Sequence, residues 1–194
     1  MQEVVEPTIS QLIARRVRAL RAARGLSLDA MAARCEVSRS MISLIERGES
    51  SPTAVVLERI ATGLNVPLAS LFEATLARPE PVARREQQLV WRDPASGYVR
   101  RNVSPGAPGS PIRIVDVSFP AGAHVAYETG ARETPIRQQV WVLEGDIVVT
   151  VGDATYDLRA GDCLDMALDR PTSFNNRTRR VARYAVVVAT DARD

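Results

Sequence analysis

The chain of 194 residues contains no lysine, one histidine and two cysteines. Nor has it any apolar run approaching the roughly 20 residues that a membrane-spanning helix requires. Each shortage removes a class of function. Cys35 falls at an apolar helical position and Cys163 in a strand-like stretch far from it. Neither a disulfide framework nor a zinc site is indicated, and both read as buried free thiols. The sole histidine, His124, cannot supply the several imidazoles of a histidine-rich metal centre. The opening MQEVVEPTIS shows no basic stretch followed by an apolar one, so the expectation is a cytoplasmic protein without a membrane partner. All 25 basic residues being arginine is read as compositional, without functional weight. A net charge of +2, with 45% hydrophobic and 25% charged residues, is ordinary for a folded chain long enough for two small domains.

What is present is clearest between residues 26 and 52, LSLDAMAARCEVSRSMISLIERGESSP. Leu28, Met31, Ala32 and Cys35 recur at helical spacing; after a short break Val37, Met41, Leu44 and Ile45 do so again. Two short helices sharing an apolar core are expected. Ser38 suits the N-cap of the second, where its hydroxyl accepts from an orphan amide, and Gly48 suits its left-handed stop. The outer face then carries Ser38, Arg39, Ser40, Ser43 and Arg47, hydroxyls and guanidinium forks that match base edges and phosphates. On its own such a face is better read as a solvated surface; its neighbours favour the recognition reading. Ile9, Ile13, Val17 and Leu20 form a stripe ending at Gly25. Ser51 and Pro52 are expected to start a helix bearing Leu57, Ile60 and Leu64, and Pro67 opens a last one through Leu71 and Phe72. That makes five helices. Between Ile9 and Phe72, nine arginines face five acids, a local excess of four positive charges.

With RVRALRAARGLSL, AMAARCEVS, SRSMISLIERGESSP and LERIATGLNVPLASLFE all in register, the segment resembles the XRE, or lambda-repressor-like, helix-turn-helix family. Two positions depart from that pattern. Leu28 stands where many members have a backbone-contacting glutamine, and Glu36 where the turn usually has glycine. A side chain in a left-handed turn costs about 1 kcal/mol. The resemblance implies that Glu46 pairs with an arginine of the first helix, such as Arg15 or Arg18, and that Arg47 touches phosphate.

Residues 73–88, EATLARPEPVARREQQ, lose apolar periodicity and gather prolines and charges, as an interdomain linker does. Beyond them, short apolar or alternating runs at 89–92, 98–103, 112–119, 138–143, 147–151, 155–158, 163–166 and 181–189 are separated by turn residues. PAGAH, WVLEG and GDCLDMALDRPTSFNN resemble the two motifs of a cupin, a double-stranded β-helix barrel. Metal-dependent cupins use two histidines and a glutamate from the first motif and a histidine from the second. By that resemblance Gln138 stands at the glutamate position, the paired histidines would fall within 130–134, and Thr172 stands at the second-motif histidine. No metal or other cofactor is expected, and no catalytic residues are assigned.

A barrel without metal can still hold one small molecule. Candidate wall residues are Tyr127, Arg132, Glu133, Arg137, Gln139, Trp141, Asp165, Thr172 and Phe174, with the arginines suited to an anionic ligand. Inward and outward faces exchange with a slip of one residue. The expected fold is two-domain: an all-α five-helix domain over 9–72, the linker over 73–88, and an all-β cupin-like domain over 89–191. Together the two resemblances imply a one-component transcription regulator: a homodimer that reads a pseudo-palindromic operator in double-stranded DNA and answers to a small, anionic effector. The alternative is a cupin enzyme, an isomerase, epimerase or oxygenase-like protein, with an accessory helical domain. A third reading gives the cupin a dimerising role alone.

Overall fold

A computed structural model describes residues 8–73, 80–106, 110–128 and 136–190. Helices α1 (Ile9–Ala23), α2 (Leu28–Cys35), α3 (Arg39–Arg47) and α4 (Ala54–Gly63) form the first domain. Their starts follow hydroxyl chemistry. Thr8, Ser27, Ser38 and Thr53 each accept from a backbone N–H in the first turn of the helix that follows. Thr53 rather than Ser51 is therefore the cap before α4. Gly48 ends α3 at φ 72°, while Glu36 ends α2 at φ 52° despite its side chain. Ile13, Val17, Met31, Cys35, Ile42, Ile45, Leu57 and Ile60 are buried together. The expected fifth helix is a 3₁₀ turn, Leu68–Phe72. Pro67 removes a donor at its start, and Ser70 N–H bonds Pro67 C=O at 2.9 Å, the tighter i→i+3 pattern of a segment too short to settle into α geometry.

Among the described residues, the second domain has ten strands in two antiparallel sheets. These are β1 (Val90–Arg92), β2 (Val99–Asn102), β3 (Ile112–Phe119), β4 (His124–Tyr127), β5 (Ile136–Glu144), β6 (Asp146–Val151), β7 (Ala154–Arg159), β8 (Cys163–Ala167), β9 (Thr172–Asn175) and β10 (Ala182–Thr190). One sheet runs β1-β2-β3-β10-β5-β8 and the other β4-β9-β6-β7. Strands β4 and β9 lie outside the runs expected from sequence because each has only four residues and pairs with a distant partner. Alternation is strict where it matters: Ile136, Gln138, Val140 and Val142 of β5 are buried while Arg137, Gln139 and Trp141 are exposed. The inward faces of both sheets meet in the core of the domain.

That core continues into the helices. Phe72 packs on Trp91 with ring centroids 5.5 Å apart, and Trp91 leads through Tyr98, Phe119 and Tyr184 to Phe174 at centroid spacings of 5.8 to 6.0 Å. Aromatic pairs at such spacings add to simple burial. Asp93, only 2% exposed, reaches across from the second domain to the start of α4, where its Oδ1 accepts from Ala54 N–H at 2.9 Å. A carboxylate at a helix N-terminus meets orphan donors and the positive end of the dipole. Ser96 holds the other oxygen with its N–H at 2.8 Å and its hydroxyl at 2.5 Å. Glu73 bridges Arg16 of α1 at 2.9 Å and Arg113 of β3 at 2.5 Å.

Two substitutions test this packing. Asp93→Ala strands the Ala54 amide and should lower unfolding free energy by about 2 kcal/mol in a denaturant titration; an unchanged midpoint would contradict the cap. At Gly63 a Cβ would lie 2.5 Å from Cys35 Sγ and 3.0 Å from Arg34 backbone. Gly63→Ala should therefore destabilise, against the helix-propensity gain of about 1 kcal/mol that alanine brings.

Candidate nucleic-acid interface and cavity

Helix α3 is oriented by what it buries. Ile42 and Ile45 enter the core beside Glu46, whose carboxylate takes Arg21 Nε at 2.6 Å and Arg21 Nη2 at 2.9 Å. Arg18 adds a bond from Nη2 to the Glu46 carbonyl at 3.1 Å. The partner is thus Arg21, with Arg18 second, rather than Arg15. The fork geometry of a guanidinium on a buried carboxylate fixes the rotation of α3 about its axis. Ser38, Arg39, Ser40 and Arg47 are consequently exposed and Ser43 half-buried, all away from the core. Ser38 Oγ lies 3.1 Å from Ser40 Oγ as well as capping the helix. Arg39 Nε meets Asp29 at 3.1 Å, and Arg47 bonds Ser43 at 2.5 Å and Glu49 at 2.8 Å. These last pairs are solvent-exposed and therefore weak, so both guanidinium groups can be drawn to another anion at little cost. Glu36 stands exposed at the turn.

Between the sheets lies a cavity of about 70 Å³. Tyr127, Thr172 and Phe174 line it, as the sequence suggested. Arg137, Gln139, Trp141 and Asp165 do not. Arg137 pairs with Asp165 on the outer face of the large sheet, and Trp141 is 50% exposed there. The parity of β5 is opposite to the expectation: the buried residue is Gln138, one position earlier. Arg132 and Glu133 lie outside the described residues.

Sequence reasoning also missed much of the lining. Tyr98, just before β2, Arg100 of β2, Tyr184 of β10 and, from the helical domain, Glu58, Pro67, Leu68 and Ala69 face this cavity. Burial raises the pKa of Tyr98, Tyr127 and Tyr184, so all three remain neutral phenols; Tyr98 and Tyr127 hydroxyls are 3.3 Å apart. Arg100 is 6% exposed, its guanidinium carbon 4.3 Å from the centre of the Phe72 ring. Its Nε has no hydrogen-bond partner. Glu58 accepts from Thr62 Oγ1 at 3.4 Å. The one signal in sequence was cupin register, which marked Gln138 and Thr172 as motif positions; nothing local marks Arg100 or Glu58, which reach the cavity only through long-range packing.

Residues 12–73 match the family model described as a helix-turn-helix domain. The HTH-type transcriptional regulator SutR of Escherichia coli K12 is 27% identical over 168 residues, covering 87% of this chain and 89% of that protein. PuuR of the same organism, also named an HTH-type transcriptional regulator, is 25% identical over 170 residues, 87% of this chain and 90% of the relative. A solved HTH_3 family transcriptional regulator from Vibrio cholerae superposes with a TM-score of 0.73 at 27% identity, over 93% of this chain and 96% of that one. Residues 12–73 thus form a helix-turn-helix domain, and over most of its length the chain is similar to HTH-type transcriptional regulators.

Gln138 and Thr172, the positions that the sequence resemblance to metal-dependent cupins aligns with metal ligands, both line the cavity. A neutral amide and a hydroxyl do not fit a divalent cation that prefers imidazole and carboxylate. His124 is exposed on β4, whose Val125 and Tyr127 face the cavity instead. Among the described residues no three of His, Cys, Asp and Glu cluster as a metal site would require. Also among them, no helix is long and apolar enough to cross a membrane.

The thiols differ from expectation in one respect: Cys35 is buried but Cys163 is exposed. Burial pushes the Cys35 thiol up to about 11. Thiolate is the nucleophile, so Cys35 reacts only as pH climbs toward that value or the helices open. Iodoacetamide at pH 8 should modify Cys163 alone in the native protein and both thiols in denaturant; mass spectrometry gives the count.

Proposed function

We propose that the chain is a dimeric, sequence-reading DNA-binding transcription regulator whose cupin domain binds a small anionic metabolite. The observation that carries this reading is α3. Its apolar side and Glu46 are locked into the core, and Ser38, Arg39, Ser40, Ser43 and Arg47 are left on one solvent-facing side. Arg39 and Ser40, at the start of the helix, take the part that meets base edges, and Arg47, at its end, takes a phosphate. A two-fold operator requires two such helices. The outer face of the large sheet, where Ile114 and Trp141 are exposed, offers apolar surface for pairing two copies. The regulator names of the relatives support a binding role for the cupin over catalysis.

In the cavity the anion preference rests on Arg100, with Tyr127, Thr172 and Phe174 as further wall. Arg137, named from sequence for this task, belongs to the outer face instead. The DNA-binding domain is taken as 9–72 and the ligand-binding domain as 89–191.

Binding to DNA from the chain's own promoter, measured across salt concentrations against random DNA, tests the proposal. A preference for promoter DNA is expected; equal affinity for both would sink it. Arg39→Ala should narrow the gap between specific and random DNA by about 1–3 kcal/mol. Arg47→Ala should weaken both alike and flatten the salt dependence by about one phosphate contact. Light scattering should give a dimer.

A further inference from the structure

The cavity is walled by both domains. Leu68 and Ala69 of the 3₁₀ turn and Glu58 of α4 close one side, and Val115, Val188 and Arg100 belong to the β-domain. Arg100 is the only arginine lining it among the described residues, and its Nε–H is buried without an acceptor. A buried charged donor left unpaired is unfavourable until an acceptor arrives. The Phe72 ring lies 4.3 Å from that guanidinium carbon and offers it no strong acceptor, so the unpaired Nε–H is left to a ligand. Gln138, at the same cavity, has only a 4.0 Å contact from Nε2 to Met166 Sδ, so its amide also has donor capacity to offer. The remaining wall is branched aliphatic and aromatic, with neutral phenol hydroxyls.

We infer that the cavity takes a small carboxylic acid as its anion. Its carboxylate sits on Arg100 and its apolar body lies against Val115 and Val188. Occupancy is transmitted to the helix-turn-helix domain directly, through Ala69, Leu68 and the Arg100–Phe72 stack, rather than along the segment after Glu73. Filling the cavity presses on the same 3₁₀ turn that seats the helical domain, and engaging Arg100 changes the charge that Phe72 rests on. Ligand and DNA thereby bias one shared contact, so each must alter the other's affinity by the same factor. The coupling part of this inference rests on the regulator reading above; the acid site does not.

The test uses the full chain with sodium acetate, isobutyrate and benzoate as probes of increasing size, and isobutyramide and benzamide as neutral shape-matches. At least one acid should raise the melting temperature saturably while its amide does not. Arg100→Met should weaken that acid by about tenfold or more. Because Arg100 is buried, its variant is checked for native circular dichroism, and Ala69→Leu provides a second route by filling the cavity from the helical side. It too should abolish acid binding. Absence of response to every acid, an equal response to the amide, or binding that survives Arg100→Met would overturn the acid site. Loss of binding in Glu58→Gln with Arg100→Met unaffected would do the same, pointing to a cation.

For coupling, promoter-DNA affinity should shift about fivefold or more with saturating acid, and should not move with acid in Ala69→Leu. Acid binding without any shift on specific DNA would overturn the coupling while leaving the regulator reading intact. Failure to prefer promoter DNA at any acid concentration would remove the regulator reading, and an Arg100-dependent acid site would still stand.

Discussion

The contact on which the rest of the molecule depends is the seat of Phe72 between Trp91 and the guanidinium of Arg100. It joins the end of the helical domain to the aromatic core of the β-domain, and it does so with a buried charge that the ring face tolerates. Asp93 at the start of α4 and Glu73 between Arg16 and Arg113 hold the same junction from either side. The helical domain therefore acts as part of the cavity wall, and α4 and the 3₁₀ turn have a fixed relation to the sheets.

Helix α3 is placed by a second buried charge. Glu46 satisfies Arg21 in a bidentate pair while Ile42 and Ile45 fill the core, so α3 has one rotational setting. A polar helix face held this firmly can present the same groups to each DNA site without paying to order them. Arg39 and Arg47 rest meanwhile on exposed carboxylates that a phosphate or base can replace.

Most of the architecture was legible because it is local. The capping hydroxyl of Ser38 and the glycine at Gly48 mark helix ends by satisfying or releasing nearby backbone groups, and period-two alternation marks long strands such as β3, β5 and β10. Thr53 displaced Ser51 as a cap because both residues can do that job and packing chose between them. Strand β9, four residues long, is visible only once it pairs with β4 and β6.

The amino-acid sequence alone determined a helical domain with a polar α3 face, a β-rich domain behind it that resembles a cupin, and Gln138 and Thr172 at motif positions that lack metal-ligand chemistry. Tertiary structure decided which face of β5 looks inward, turning Gln138 into the cavity and Arg137, Gln139 and Trp141 out of it. It also brought Arg100 and Glu58, from different domains, to the same cavity. The reason is parity and distance. Alternation defines two faces without saying which is buried, and an arginine in a short strand acquires its meaning only from partners that folding places beside it.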